Sequence, residues 1–408
     1  MQTKRIIITG VGVVSPFGTG KEAFINGIET GLYCAQAITR FATGAVRSKE
    51  ACLIRDENLG DIDPRLARLP AVYRYGLVAA EEALNDSVIN LREEEKDRLG
   101  IFYGTACNTE QSVQYHLTLT ERGPNSVSPL MFQNTTYMAG PGIISIRNGI
   151  TGPAIAIPGG YSAGLQALDI AVSYLLSGYI DRALIVGAEE VTRLQHEALS
   201  SLKLLSPTRN DTEEISRPFD ADRDGMVLGE GAGALMLEVS GNAKEPGKKV
   251  YAELVGIGIT HDAYRTADVS PDGRGLEHSM RAALTNADED PQSVDYIAAA
   301  ANSTRIFDNA EVAAIQKLFG LGNKTPVSSI KSMIGETSAA GAIFNVVAAV
   351  FAIANSFLPP TINYKNHDPE CDVDCVPNTA RPQVVKFALA NACSFGGSSG
   401  TVALKAFA

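Results

Sequence analysis

The sequence predicts an α/β fold built from two similar halves, and two observations lead to this prediction. A basic start, an apolar β-branched run and Gly-x-Gly occur at Lys4–Gly12 and again at Lys248–Gly258. In both halves, strand-like segments alternate with segments of helical periodicity, which is typical of parallel βαβ units. Gly, Asn, Lys, Glu and Pro cluster at 241–247 and mark the break. We therefore predict an N-terminal half at 1–247 and a C-terminal half at 248–408.

The order of elements within each half supports the same division. A strand ending in small residues is predicted at Gly100–Ala106 and its counterpart at Val294–Ala300. Each half then has a strand-to-helix signal, one around Tyr161 and one around Gly335. The predicted insertions over the core are 40–70 and 105–150.

The segment around Tyr161 has the pattern of a nucleophile elbow without a nucleophile. Ile155–Ile157 predicts a buried strand, two glycines allow a sharp turn, and helical spacing begins at Ser162. A helix N-terminus favours negative charge, so a cysteine at this place would ionise easily. A phenol, with a reference pKa of about 10, stays protonated at neutral pH. The pattern thus predicts a catalytic scaffold whose reactive atom is missing.

Size and charge set the broad class. The chain has 408 residues, 45% of them hydrophobic, and a formal net charge of −11, which argues against a nucleic-acid-binding protein. An acidic carrier protein as partner would require a local basic patch. The N-terminus runs straight into a strand with no secretory signal pattern. The apolar stretch at 339–354 is shorter than the ~20 residues of a membrane span and is predicted to be a core helix. We expect a cytoplasmic protein with no membrane partner.

The cysteines and the glycine motif do not predict a metal or cofactor. The six cysteines are too few and too scattered for a disulfide framework. Cys371 and Cys375 have a C-x3-C spacing, but no second Cys or His pair with zinc-like spacing accompanies them. Gly10-Val-Gly12 lacks the third glycine and the acidic partner of a dinucleotide fingerprint, so close packing of strand on helix is the preferred interpretation. We expect no cofactor and no metal.

Several motifs together resemble one family along the whole chain, the β-ketoacyl-acyl carrier protein synthases, condensing enzymes of the thiolase-like fold. The matching segments are Ile8–Gly18, Arg217–Gly233, Val294–Ile297, Lys331–Gly335, Leu358–Asn363 and Cys393–Gly400. The resemblance implies a thiolase-like α/β fold, in which the two pseudo-duplicated halves form a layered α-β-α-β-α core. It also implies that Lys331 and the structural carboxylates Asp220 and Glu230 are retained family residues.

The resemblance also identifies three changed positions. Active members use a cysteine nucleophile, acylated from a carrier-bound thioester, and two histidines that promote decarboxylation and stabilise an oxyanion. Here the cysteine position is Tyr161, the first histidine position is Ala300 and the second is Glu336. A glutamate places an acceptor where a donor should face the oxyanion. Losing all three groups implies that the fold is kept while condensation and decarboxylation are lost.

Within the superfamily this pattern is similar to the chain-length factor, or ketosynthase β subunit, of type II polyketide synthases. The resemblance implies that the chain forms a heterodimer with an active ketosynthase and that the two subunits meet through an edge strand near Pro153–Ile157. It also implies a second partner, an acyl carrier protein that bears the polyketide chain. It implies that the segment 107–119 crosses the end of the substrate tunnel. The residues assigned to that tunnel are Thr109, Ser112, Val113, His116, Phe132 and Phe395.

Alternatives stay open at this point. Tyr161 either fills volume or has become an acid or base, and Phe395 is either the family's gating phenylalanine or a packed core residue. The side chains of 107–119 face either the tunnel or the solvent and partner. The whole chain is a chain-length factor for an aromatic or a polyene product, a repurposed enzyme that uses Tyr161 and Glu336, or a self-associating scaffold.

Overall fold

The computed structural model describes residues 4–44, 46–55, 59, 66–88, 93–106, 109–208, 214–240, 249–322 and 324–407. Side chains at 67, 93, 94 and 130 are not described. The predicted break at 241–247 lies outside the described residues, and so do residues 107–108 of the segment 107–119 that is predicted to cross the tunnel end. The division at 247 therefore stays a prediction.

Strands and helices alternate through both halves, as expected. The strands are β1 (Ile6–Ser15), β2 (Gly18–Thr19), β3 (Ala35–Ala37), β4 (Glu50–Cys52), β5 (Leu99–Thr105), β6 (Ala154–Pro158), β7 (Arg182–Glu189), β8 (Leu228–Gly229), β9 (Gly231–Val239), β10 (Ala252–His261), β11 (Tyr296–Ala298), β12 (Val327–Ser328), β13 (Phe357–Leu358), β14 (Arg381–Pro382), β15 (Phe387–Cys393) and β16 (Ser398–Lys405). The helices are α1 (Lys21–Thr30), α2 (Ala71–Asp86), α3 (Glu110–Arg122), α4 (Pro129–Phe132), α5 (Ala139–Asn148), α6 (Ala163–Ser177), α7 (Arg193–Ser201), α8 (Arg274–Ala287), α9 (Arg305–Phe319), α10 (Lys331–Ile334) and α11 (Ser338–Asn355).

The strand order repeats between the halves. The long sheet runs β12-β11-β15-β16-β10-β1-β9-β7-β5-β6. Counted from either end of the sheet towards its middle, the first two pairs of neighbouring strands are parallel and the next two are antiparallel. The halves meet where β1 pairs with β10 in antiparallel register, Ile6 opposite Leu254. This repetition confirms the predicted pair of similar halves.

Helices complete the layers. In the middle, α6 and α11 contact each other and strands of both halves. On the outside, α2 packs on β1 and β9, while α8 packs on β10 and β16. Helix α11 is long and apolar enough to cross a membrane, but 89% of it is buried inside the protein. It is therefore the core helix that the sequence predicted.

The repeated Gly-x-Gly has a packing explanation in both halves. A Cβ on Gly12 would lie 1.9 Å from the carbonyl oxygen of Ala79 in α2. In the second half, a Cβ on Gly258 would lie 2.1 Å from the carbonyl oxygen of Ser279 in α8. Real side chains do not fit at such distances, so glycine is needed for the helix to lie directly on the strand. Close strand–helix packing, the preferred interpretation, is what the structure shows.

Candidate functional site

The elbow around Tyr161 has the predicted strand, turn and helix. Strand β6 ends at Pro158, a short 3-10 turn covers Gly160–Ser162, and α6 follows at once. Gly160 has φ +68°, and a Cβ there would lie 2.4 Å from the Oγ of Ser394. Only glycine combines this left-handed backbone with so close a neighbour. The turn therefore brings Tyr161 to the N-terminal end of α6.

Tyr161 is buried, and its ring packs against the ring of Phe395. Its ring meets Phe395 edge to face, with centroids 5.4 Å apart, and Phe395 meets Phe307 at 4.9 Å. Such edge-to-face pairs are favourable beyond the area they bury. The backbone N–H of Tyr161 donates to the Oγ of Ser394 at 3.1 Å. An elbow N–H that serves an oxyanion in an enzyme is thus already bonded inside the protein.

Glu336 lies in a buried ion pair. Its Oε2 is 2.8 Å from the Nζ of Lys331, and both side chains are almost fully buried. Oε2 also accepts from the Nδ2 of Asn302 at 3.0 Å, and Oε1 accepts from the N–H of Ser338 at 2.9 Å. Three groups of its own chain, one of them a cation, therefore bind this carboxylate.

Ala300 lies between these two groups. Its methyl belongs to a small apolar cluster with Phe307, Cys393 and Phe395, and its carbonyl oxygen accepts from the Nζ of Lys331 at 2.8 Å. Contacts therefore run from Tyr161 through Phe395 and Ala300 to Lys331 and Glu336. The structure brings together the three positions that the sequence singled out.

Glu311, which sequence reasoning missed, supports this region from α9. Its carboxylate accepts from the N–H groups of Ala300 at 2.9 Å and Ala301 at 2.7 Å, and from the Nδ2 of Asn391 at 2.9 Å. Burial raises the pKa of Glu311, and these donors oppose the rise. A signal was present in the sequence, because Glu311 lies four residues from Phe307 and from Ile315, which is the spacing of one helix face, here the buried face of α9.

The two retained carboxylates bind neighbouring segments of the chain. Glu230 is fully buried, pairs with the guanidinium of Arg40, and accepts from the N–H of Ile54 at 2.8 Å. Asp220 accepts from the N–H of Lys365 at 2.6 Å. Both carboxylates hold backbone segments together.

The predicted tunnel residues divide into two groups. Thr109, at the N-cap of α3, and Ser112 are 4% and 3% exposed, and the Oγ1 of Thr109 accepts from the N–H of Ser112 at 3.0 Å. Val113 is half-buried, whereas His116 is exposed and Phe132 is 59% exposed. Two of these side chains therefore face inward and two face outward. Phe395 lies with Tyr161 instead, beside the old catalytic position.

A cavity of about 910 Å³ opens beside the start of α9. Its charged lining residues are Lys203, Arg217, Arg223, Arg305, Lys365, Asp222 and Asp224. Arg223 is neutralised by Asp308 and Asp368 in the interior. Of the other four cations, Arg217 pairs with Asp224 at 3.6 Å and Arg305 lies 3.8 Å from Asp368, so the lining has only a small excess of positive charge.

Of the five histidines, His196 is buried and the other four are exposed. His196 lies in α7 near the ring of Phe41, and neither nitrogen of its own ring has a hydrogen-bond partner in the described part of the chain. Burial lowers the pKa of His196, opposed mainly by the charge of Glu214. No histidine occupies either catalytic position.

Comparison with known proteins gives a consistent family. Residues 3–243 match the model described as beta-ketoacyl synthase, N-terminal domain, and residues 251–365 match its C-terminal domain. A 3-oxoacyl-[acyl-carrier-protein] synthase 2 of Synechocystis sp. is 34% identical over 100% of this chain and 99% of its own. The protein of the same description from Staphylococcus aureus (strain COL) is also 34% identical, over 100% and 99%.

Two solved structures share the whole fold. The ishigamide ketosynthase/chain length factor is 28% identical, with a TM-score of 0.91 over 100% of both chains. A type II PKS acyl-carrier protein in complex with its ketosynthase, bound to the hexaketide, gives the same identity, TM-score and coverage. Structural neighbours thus include ketosynthases of type II polyketide synthases, while the similar sequences include synthases of the 3-oxoacyl type.

Proposed function

Because the chain belongs to the β-ketoacyl synthase family but has Tyr161, Ala300 and Glu336 at the three catalytic positions, we propose that it is a non-catalytic chain-length factor. In this role it pairs with an active ketosynthase and sets the length of a polyketide. The product is aromatic or a polyene, and we place the pair in the cytoplasm.

One observation carries the proposal: the old catalytic position is filled and neutralised from within. The Tyr161 ring occupies the elbow against Phe395, and Glu336 is paired with Lys331 at 2.8 Å. A condensing enzyme needs a thiolate and neutral imidazole donors at these places. A repurposed acid–base catalyst would need an acceptor within reach of substrate, whereas the Glu336 carboxylate is buried, paired with Lys331 and bonded by Asn302 and Ser338.

An open sheet edge supports association with a partner. Strand β6 is the last strand of the long sheet, and among the described residues only β5 pairs with it. Its residues 154–156 are only half-buried. Helix α5 packs beside β6 and has Ile146 85% exposed. An unpaired edge flanked by exposed apolar surface is a liability in a monomer, and the neighbour described as a ketosynthase/chain length factor suggests what covers it.

The small positive excess of this cavity supports the carrier protein as a second partner. Lys203, Arg217, Arg305 and Lys365 line it, and acidic surfaces are attracted to such patches at long range. We propose that the carrier protein of the pair approaches on this side.

Co-expression with candidate ketosynthases from the same genome tests the proposal. We expect the wild-type chain to co-purify with one of them as a heterodimer. Ile146→Glu should weaken that association tenfold or more, since losing the burial of the isoleucine alone costs roughly 1.5–3 kcal/mol. Leu321→Glu is the matched control, because Leu321 is 87% exposed on a different segment after α9. A stable monomer that binds no ketosynthase would refute the proposal.

A further inference from the structure

One face of α6 points away from the protein interior. Its residues recur every three or four positions, which is the spacing of a single helix face. The face, called here the outer face of α6, consists of Gln166, Asp169, Ile170, Ser173 and Leu176. The first three side chains are half-buried and the last two are exposed. The other faces of α6 are buried against the sheet and against α11.

The outer face of α6 borders the open edge of the sheet. Ile155 in β6 and Ile170 in α6 are both half-buried and pack against the same core cluster. Just after β6, a Cβ on Gly159 would lie 2.2 Å from the Oε1 of Gln166. Because a helix that follows a parallel strand runs back along it, the residues after Gln166 lie beside β6. A subunit that pairs with the β6 edge would therefore also cover the outer face of α6.

Asp169 is a half-buried acid that has no hydrogen bond or ion pair within the described part of the chain. Burial raises the pKa of Asp169. Neither β6 nor α6 contains a Lys, Arg or His. Helix α5 packs with Ala154 on the other face of β6, and its Arg147 lies 3.3 Å from Glu81. Removing a carboxylate from water is unfavourable unless it is paired, so a cation from another chain would stabilise Asp169.

A second copy of this chain does not supply that cation at the same surface. Dimers with two-fold symmetry bring the same patch of both subunits together. A homodimer formed by two β6 edges would therefore place two outer faces of α6 against each other, with one Asp169 on each and no cation on either helix. Like charges that meet across an interface weaken association. The outer face of α6 is thus unfavourable for self-pairing.

We propose that the outer face of α6 is a specificity contact of the heterodimer, in which Asp169 receives a Lys or Arg side chain of the active ketosynthase. The same carboxylate disfavours pairing between two copies of this chain, so one group both selects the partner and rejects the alternative. The inference rests on the proposed function, since the ketosynthase is the partner assigned there. It adds the chemistry that distinguishes this partner from a second copy.

The experiment uses the full chain purified with the ketosynthase that co-purifies with it. Asp169→Asn keeps the shape of the side chain and removes its charge, and Asp169→Lys reverses the charge. The dissociation constant of the heterodimer, from sedimentation velocity over a dilution series, should rise about tenfold in Asp169→Asn and about a hundredfold in Asp169→Lys.

Glu29→Lys is the matched control for the charge reversal. Glu29 is exposed in α1, which packs on β1 and α11. Reversing an exposed charge away from the interface should change the dissociation constant by less than about threefold.

Two readouts on the isolated chain separate an interface role from a structural one. Asp169→Asn should self-associate at a concentration about tenfold lower than the wild type, because the repulsion between two carboxylates is gone. Its midpoint of urea unfolding should equal or exceed that of the wild type, because Asp169 makes no bond within the described part of the chain.

The outcomes distinguish this inference from the proposed function. If the wild-type pair forms and both Asp169 variants bind the ketosynthase as tightly as Glu29→Lys does, the inference is overturned while the proposed function stands. A wild-type homodimer as tight as the heterodimer also overturns it, and so does a loss of binding accompanied by a lower urea midpoint, which would place the role of Asp169 inside the fold. If the wild-type chain binds no ketosynthase, the proposed function fails and the inference fails with it.

Discussion

Removing one partner of the buried Lys331–Glu336 pair should destabilise the protein strongly. In Lys331→Met, the Glu336 carboxylate keeps its bonds from Asn302 and Ser338 but loses its only countercharge among the described residues. Breaking a buried ion pair by removing one partner costs 3–5 kcal/mol. Because two donors remain, we expect the low end, about 3 kcal/mol.

The double variant Lys331→Met/Glu336→Gln should recover most of this loss. A neutral glutamine still accepts a hydrogen bond through its side-chain oxygen, and no charge is left buried without a partner. The coupling between the two positions in a double-mutant cycle should therefore be at least about 2 kcal/mol, because Glu336→Gln alone leaves the Lys331 charge without its partner. Lys317→Met is the matched control, since its pair with Asp272 at 3.3 Å is about half exposed on both sides and such pairs contribute about 0–1 kcal/mol.

The assay is urea unfolding followed by far-UV circular dichroism. With a slope of about 3 kcal/mol/M, a loss of about 3 kcal/mol lowers the midpoint by about 1 M. The control should move the midpoint by no more than about a third of that. If the double variant is no more stable than Lys331→Met, the two charges are not coupled, and the account of Glu336 as an internally neutralised carboxylate is wrong.

Three further outcomes are expected. The purified chain without a partner should neither condense nor decarboxylate malonyl carrier protein, and neither should its Tyr161→Cys variant, because Ala300 and Glu336 supply no imidazole. Release of radiolabelled CO₂ measures this, and turnover above background would contradict it. For His196, burial holds the folded-state pKa below the unfolded value of about 6.5. Below about pH 6.5 the unfolded chain therefore binds more protons than the folded chain, and the stability of the protein falls. His196→Leu should remove this fall from a plot of the urea midpoint against pH. Ser394→Ala should cost about 1 kcal/mol by leaving the Tyr161 N–H without its acceptor, and an unchanged urea midpoint would show that water replaces it.

Patterns that repeat locally were predictable from the sequence. The two Gly-x-Gly strands, the alternating elements and the elbow at Tyr161 each depend on neighbours within about 20 residues, and each was found where it was expected. The burial of α11 also followed from its composition. Periodicity reports such features because it is a property of one element at a time.

Contacts between distant segments were not predictable in the same way. The hydroxyl of Ser394 meets Tyr161 across 233 positions, and no local pattern encodes that pairing. On α3, Thr109 and Ser112 face inward while His116 faces outward. The apolar residues Val113 and Leu117 of that helix lie four positions apart, yet Leu117 is 47% exposed, so the apolar spacing does not mark the buried face.

The two central helices have an electrostatic consequence. Both α6 and α11 begin at the old catalytic position, the first just after Tyr161 and the second just after Glu336. The N-terminal ends of helices favour anions, and here two of them converge on one place. The Glu336 carboxylate lies in this field and accepts a bond from Ser338 in the first turn of α11. An external anion would have to displace a carboxylate that is covalently tethered and therefore present at a very high effective concentration. The protein thus carries a permanent internal competitor for the negative charge that a reacting substrate would bring.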